Sequence, residues 1–411
     1  MKAAIWALTI AGGILAAPAL GAAPAPAEHW IATWATAQQI PEPQNALPAE
    51  AWQGTTIRQI VRLSVGGSRL RVRLSNAFGT APLHLTAVHV ARAVSPGAPR
   101  IVAGSDRALT FAGQADVVIP AGADYLSDPV ALAVPALSSL AISLRADGPP
   151  ARQTGHPGSR ATTYIATGDQ LAASDLPDAG KVDHWVVDSA VEVAAPAAAA
   201  AVVAFGDSIT DGHGATTNGD DRWPDRLADR LQASPATRFI AVLNLGIGGN
   251  RLLLDGLGPN ALARFDRDVL SQPGVRWLIV LEGVNDLGTA FREAPLPAAA
   301  HQALVAHILA AYAQMIARAH AHGIAAIGAT ILPYSGSVYY HPDAAAEADR
   351  QAINAWIRHN FDSLVDFDAV TRDPAHPERL RPDYDSGDHL HPSPAGYKAM
   401  ADSIPLALFR R

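Results

Sequence analysis

This chain of 411 residues contains no cysteine. Disulfide staples, thiol nucleophiles and thiolate-bound metals are thereby excluded, and stability has to come from burial of an apolar core. Positive charge is scarce as well. The 31 Lys and Arg stand against 38 Asp and Glu, for a net charge of −7 at pH 7. A surface with no basic excess does not suit a polyanion, so no nucleic-acid partner is expected. Charged residues make up 17% and hydrophobic residues 49%, and a chain of this length normally divides into more than one domain.

Long apolar runs are missing except at the start. Met1-Lys2 is followed by an apolar stretch from Ala3 to Ala17, then small residues and prolines through Ala27. A positive start, a short apolar core and small residues before a cleavage point describe a secretory signal, with cleavage expected between Ala19 and Ala27. The run is short for a membrane span, which disfavours the alternative of a retained N-terminal anchor. The expectation is a secreted or periplasmic protein with no stable membrane insertion after cleavage. A repeat of fixed period is also lacking.

Two grammars follow one another along the remainder. From about Ile57 to Leu144, short alternating runs are broken by turn residues, among them Ile60 to Val65, Leu70 to Ser75, Leu83 to Val90 and Leu140 to Leu144. Such period-two alternation predicts an antiparallel β-sandwich, jelly-roll-like, over 28–192. An Ala/Pro-rich stretch then predicts a short linker over 193–200, and so few residues favour close packing of what they join. From 201 to 411 strand and helix alternate: Ala201 to Phe205, a helix near Trp223 to Ala233, Phe239 to Leu245, and Trp277 to Leu281. Leu304, Ile308, Ala311, Met315 and Ala319 form one stripe of a helix over 298–322, before a strand from Ile324 to Ile331. This pattern predicts an α/β domain with a parallel sheet covered on both faces, a three-layer arrangement.

The chemistry concentrates in four motifs. Gly206-Asp207-Ser208-Ile209-Thr210-Asp211 follows the β-branched first strand and places a hydroxyl on a strand-to-helix turn. A serine hydroxyl needs a base and oxyanion donors before it acts as a nucleophile. The base is suggested by Asp388-His389-Leu390-His391, where the three-residue offset lets Asp388 reach Nδ1 of His391 from one short loop. Oxyanion donors have two sources. One is the glycine-rich segment Asn244 to Asn250, and the other is Leu281-Glu282-Gly283-Val284-Asn285-Asp286 after a buried-looking strand.

These residues also admit other readings. Ser208 alone also fits a helix cap, and Asp207 and Asp211 are expected to shape the turn. Gly246-Ile247-Gly248-Gly249 fails as a dinucleotide fingerprint because Arg251 stands where a third glycine belongs. The pairs His389/His391 and His320/His322 lack further ligands at a metal-binding spacing. Arg222, Trp223, Arg251 and Glu282 are candidates to line the pocket, and Tyr334, Tyr339 and Tyr340 to stack on a sugar ring or cover the core.

The four motifs in this order resemble the GDSL family of serine esterases, the SGNH hydrolases, from Ala200 to the end of the chain. By motif position, that resemblance implies Ser208, Gly249, Asn285 and His391 as the signature residues and Asp388 as the third triad member. Gly249 rather than Gly248 follows from counting five residues on from Asn244, as the family pattern does. The resemblance implies an oxyanion hole of the Ser208 N–H, the Gly249 N–H and the Asn285 side chain, with no cofactor or metal. The opening Trp30 to Gln38 and the Leu-Glu-Gly-Val-Asn-Asp motif are similar to a subgroup associated with xylan-degrading gene clusters. That implies an acyl esterase removing acetyl groups from a small-molecule or plant polysaccharide ester. An arylesterase or lipase for longer acyl chains is the rival within the class, and a carbohydrate-binding protein with a silent hydrolase domain the rival outside it.

Overall fold

A computed structural model describes residues 28–410; the signal segment expected over 1–27 lies outside the described residues. The C-terminal part is built on a parallel sheet whose strands lie in the order Ile240–Gly246, Ala200–Gly206, Val275–Leu281, Ala325–Ala329, Ser363–Val365. Every residue of Ala200–Gly206 is buried, as an apolar run requires when both faces of a sheet are covered. Helix Trp223–Ala233 packs with helix Pro394–Ser403, and helix Ala298–Ala321 packs with Ala344–Asn360 and Ala261–Phe265. Right-handed crossovers that run first one way and then the other from the same strand place these two groups on opposite faces. In the long helix, Ile308, Ala311, Tyr312, Met315 and Ala319 are buried, while Leu304 near its start is only partly covered.

Chain order and sheet order diverge at Ala200–Gly206, whose neighbours on either side both come later in sequence. At such a switch point the loops after adjacent strands turn away from one another and open a crevice at the strand C-termini. In register, Gly206 lies beside Gly246 and Leu281, so the loops carrying Ser208, Gly249 and Asn285 leave the sheet side by side. The two glycines are required by that closeness. A Cβ on Gly206 would lie 2.5 Å from the Leu281 carbonyl oxygen, and one on Gly246 2.3 Å from the Asp211 nitrogen.

The N-terminal part consists of antiparallel sheets. One has the order Trp30–Ala35, Asp188–Ala194, Gly67–Ser75, Asp124–Leu126, with Val130–Val134 also on Gly67–Ser75. The other runs Gly180–Val182, Thr163–Thr167, Thr55–Arg62, Ser139–Ala146, Leu83–Arg92, Arg107–Ala108. Alternation is clearest in Gly67–Ser75, where Leu70, Val72 and Leu74 are buried and Arg71 and Arg73 reach across to the buried Glu192 carboxylate at 2.7 and 2.6 Å.

The expected run Ile60 to Val65 ends early as a strand, at Arg62. The reason lies across the boundary between the two parts. Ser64 leaves its sheet, and its hydroxyl takes the Val242 N–H at 3.0 Å, occupying the outer edge of the parallel sheet. Arg62 meets Asp229 at 2.5 Å. Ala32 N–H donates to the Pro273 carbonyl at 3.0 Å. Gly274, at φ +83°, accommodates Ile31, whose side chain would be 2.6 Å from a Cβ there. Ile31, Ala32, Trp34, Leu243 and Leu245 belong to one continuous buried cluster.

Candidate active site

Strand Ala200–Gly206 runs into the helical turn Ser208–Asp211, capped by Asp207, whose carboxylate accepts the Ile209 N–H at 2.9 Å. Gly212, at φ +106°, ends the turn after one revolution. Ser208 is thus held at the C-terminal end of an inner strand with its hydroxyl toward the crevice. Its Oγ lies 2.8 Å from Nε2 of His391, and His391 Nδ1 lies 2.6 Å from Oδ2 of Asp388. An ionised carboxylate only accepts, so the ring proton sits on Nδ1 and the Nε2 lone pair faces the serine hydroxyl.

The loop around Asp388 is locally determined. Its Oδ1 accepts the Leu390 and His391 backbone N–H groups at 3.0 and 2.8 Å and the Ser386 hydroxyl at 3.1 Å. Burial pushes this carboxyl up, but the His391 hydrogen bonds and nearby imidazole outweigh it and hold it well below the ordinary carboxylate range. His389, two residues before His391, points elsewhere and pairs with Asp385 at 2.5 Å. His320 pairs instead with Asp362.

The oxyanion candidates converge from the neighbouring strands. In the turn after Gly246, the Gly248 N–H donates to Asp211 Oδ2 at 3.1 Å, whereas the next N–H, of Gly249, has no acceptor among the described residues. Gly249 takes φ +72° and lines the cleft with Ser208 and Asn285. The Ser208 N–H likewise has no acceptor among the described residues. Asn285 Nδ2 donates one hydrogen to the Asn250 carbonyl at 2.7 Å, leaving its second for a ligand. Its Oδ1 accepts the Tyr340 hydroxyl at 2.5 Å, which distinguishes amide oxygen from nitrogen. Asp286 ties the two loops together by accepting the Leu252 and Leu253 N–H groups at 2.8 and 3.0 Å, and burial raises its carboxyl to about 6.

Three roles were not legible in the sequence because each arises through the tertiary fold, including that of Tyr340, which was expected to stack on a sugar ring or cover the core. Tyr340 orients Asn285. Arg264, fully buried, donates to the Leu245 and Gly206 carbonyls at 2.7 and 2.9 Å and to Asn250 Oδ1 at 2.9 Å, clamping adjacent strand ends. His213 lies with its ring 4.1 Å from that of His391, and its Nδ1 faces Arg160 at 3.1 Å. Arginine only donates, so His213 Nδ1 is an acceptor here. Burial first, and then the His391 and Arg160 charges, lower its pKa to about 4. Of the residues expected to line the pocket, Arg222 pairs with Asp225, Trp223 is buried, Glu282 pairs with Arg264, and Arg251 bonds the Asp255 carbonyl. None of them lines the cleft around Ser208.

That cleft has a volume of about 640 Å³ and is open to solvent. One wall comes from the N-terminal part, including Glu42, Asn45, Arg160, Asp183 and His184; the other carries Tyr339 and Val338. Tyr339 is 56% exposed, whereas Tyr334 and Tyr340 are buried. His213, Asp388 and His391 each offer one metal-ligand atom within 4.8 Å of the others. Both His391 nitrogens are already engaged by Ser208 and Asp388, so a cation there would compete with the serine. Among the described residues no helix is long and apolar enough to cross a membrane.

Residues 204–399 match the sequence profile of the GDSL-like lipase/acylhydrolase family. Several solved structures are similar to this chain. One, from Desulfitobacterium hafniense and assigned to the lipolytic G-D-S-L family, shares 25% identity over 49% of this chain and 96% of its own, with a TM-score of 0.37. A GDSL-like lipase from Bacteroides thetaiotaomicron shares 21% over 51% and 87%, with a TM-score of 0.38. An acetyl xylan esterase from Geobacillus stearothermophilus shares 22% over 50% and 92%, with a TM-score of 0.38. No curated protein matches. The profile match runs from within the strand Ala200–Gly206 through the other four parallel strands and covers all the loops that converge at Ser208; residues 204–399 are thus similar to the GDSL-like lipase/acylhydrolase family, and the chain is a carboxylic ester hydrolase.

Proposed function

We propose that Ser208, His391 and Asp388 act as a catalytic triad that deacylates esters, in a protein exported through its N-terminal signal. The observation that carries this reading is the unbroken chain Ser208 Oγ to His391 Nε2 at 2.8 Å and His391 Nδ1 to Asp388 Oδ2 at 2.6 Å, at the floor of an open cleft. His391 Nε2 takes the hydroxyl proton as Ser208 Oγ bonds to the ester carbonyl carbon. Negative charge then develops on the carbonyl oxygen, where the N–H groups of Ser208 and Gly249 and the uncommitted hydrogen of Asn285 Nδ2 converge. Collapse breaks the bond to the leaving alcohol, which receives the proton from His391. Water, deprotonated by the same Nε2, attacks the acyl-Ser208 carbonyl, and the returning proton frees the serine. Asp388 stabilises the imidazolium and holds its tautomer without exchanging a proton.

The preferred substrate is an acetyl ester of a polyhydroxylated alcohol such as plant polysaccharide. A broad cleft bordered by Glu42, Asn45, Arg160 and Asp183 supplies hydrogen-bonding groups suited to sugar hydroxyls, and exposed Tyr339 offers a flat apolar face. The antiparallel part, jelly-roll-like in this reading, supplies that polar wall. The test is hydrolysis of acetylated xylan against short- and long-chain nitrophenyl esters. Preference for long chains over acetyl, with no release of acetate from the polymer, refutes the substrate assignment. Ser208→Ala tests the chemistry, with loss of turnover and of organophosphate labelling expected at little change in Tm. Labelling that persists places the nucleophile elsewhere.

A further inference from the structure

Close to the cleft lies a buried polar pair that the reaction above does not use. His156, on the short strand Gly155–His156 of the N-terminal part, meets Asp211 in the turn after the nucleophile, and the two residues are 2% and 3% exposed. His156 Nδ1 is 2.8 Å from the Ala37 carbonyl oxygen, and Nε2 is 2.8 Å from Asp211 Oδ1. A carbonyl oxygen only accepts, so Nδ1 carries hydrogen. Between Nε2 and Oδ1 there must then be a second proton, whether the pair is imidazolium with carboxylate or imidazole with carboxylic acid. Without it two lone pairs would oppose each other in a dry interior.

The other Asp211 oxygen accepts the Gly248 N–H at 3.1 Å. The N-terminal backbone closes over that oxygen, for a Cβ on Gly158 would lie 1.9 Å from it. Gly248 is therefore tethered through Asp211 to a histidine from the other part of the molecule, and the following N–H, that of Gly249, takes its direction from the tether.

We infer that His156 is a positioning residue for the oxyanion turn: through Asp211 it holds Gly248 so that the Gly249 N–H faces the reacting carbonyl. This rests on the reading of Gly249 as an oxyanion donor. The N-terminal part is then a component of the active site as well as a wall of the cleft. The hydrogen-bond polarity also makes Asp211→Asn a benign replacement. Its amide oxygen accepts the Gly248 N–H, while its NH2 donates to Nε2 of a neutral His156 ring.

The test uses the full chain, nitrophenyl acetate as substrate, and kcat normalised to active sites titrated with an organophosphate, so that misfolded protein does not count. Deleting an oxyanion donor outright costs about 10²–10³ in kcat, so a misdirected one in His156→Ala should cost roughly 10- to 100-fold, with KM within about twofold. Asp211→Asn should stay within about fivefold of the parent, because every donor still meets an acceptor. The double variant His156→Ala/Asp211→Asn should regain part of the lost kcat, since the amide needs no counter-charge. Should His156→Ala not fold, Gly158→Ala keeps both partners, displaces the Asp211 carboxylate and should show the same loss of kcat. Unchanged kcat per titrated site, a change confined to KM, or an Asp211→Asn as damaged as His156→Ala overturns the inference. An active Ser208→Ala would instead sink the triad, whereas an inactive one beside fully active His156→Ala and Gly158→Ala would sink only the tether.

Discussion

Replacing Asn285 by alanine separates two effects that the structure predicts to be unequal. The Asn285 amide donates one hydrogen to the Asn250 carbonyl and accepts from Tyr340, so its remaining hydrogen has a single direction. Loss of one preorganised donor of this kind costs about 2.7–4 kcal/mol of transition-state stabilisation, felt in kcat because the charge it meets develops only during attack. The same change strips partners from the Asn250 carbonyl and the Tyr340 hydroxyl, in residues 1% and 3% exposed. Each orphaned group costs about 1–3 kcal/mol of folding stability. Tyr340→Phe removes only the orienting bond, about 0.5–1.5 kcal/mol, and should lower kcat by roughly 2- to 12-fold. In the Asn285→Ala background, Tyr340→Phe should leave kcat alone and restore about 1 kcal/mol of stability by deleting the orphaned hydroxyl. Steady-state kinetics on nitrophenyl acetate and denaturant unfolding of the four proteins complete the cycle. An Asn285→Ala enzyme that raises KM at unchanged kcat, or additive losses in kcat, would refute the reasoning.

The two histidines of the C-terminal loop should behave differently: His391→Ala is expected to lose several orders of magnitude in kcat, and His389→Ala, paired away toward Asp385, far less. Equal losses would point to a shared metal, which chelator sensitivity would reveal. Burial raises the Asp207 carboxyl to about 7, against 3.8 in the open chain. Between those values the folded state holds a proton that the unfolded state has released, so stability falls as pH rises through that window. Asp207→Asn keeps the cap acceptor and should flatten that fall, measured by unfolding at pH 5 and pH 8; an undiminished slope contradicts the assignment. A chain truncated to start near Ala198 loses Ile31, Ala32 and Trp34 from the shared core and should aggregate or lose activity even on nitrophenyl acetate. A soluble, fully active fragment would show that the two parts do not depend on each other.

Much of the parallel-sheet half was legible because its signals are local. The run before Gly206 is buried on both faces, the stripe from Ile308 to Ala319 faces inward as its spacing predicts, and Trp223–Ala233 forms the expected helix. Asp388 and His391 meet because they lie three positions apart on one loop. The end of the strand at Arg62 was not legible, since Ser64 is drawn out by an edge strand 178 residues away.

The sequence by itself determined which residue types were available and at what offsets: a hydroxyl on a strand-to-helix turn, a carboxylate and imidazole on one loop, glycines and an amide after two further strands. Those are short-range facts of chain geometry. The count from Asn244 singled out Gly249, and the tertiary structure supplies the physical reason why the two glycines differ: the Gly248 N–H is consumed by Asp211, whereas the Gly249 N–H has no acceptor among the described residues. The tertiary structure likewise decided the facing of the Asn285 amide through Tyr340, the clamping of strand ends by Arg264, and the joining of His156 to the Ser208 turn. Each depends on partners between 14 and 58 residues apart in sequence. No local period encodes such pairings; they form when burial leaves a donor and an acceptor with no water between them.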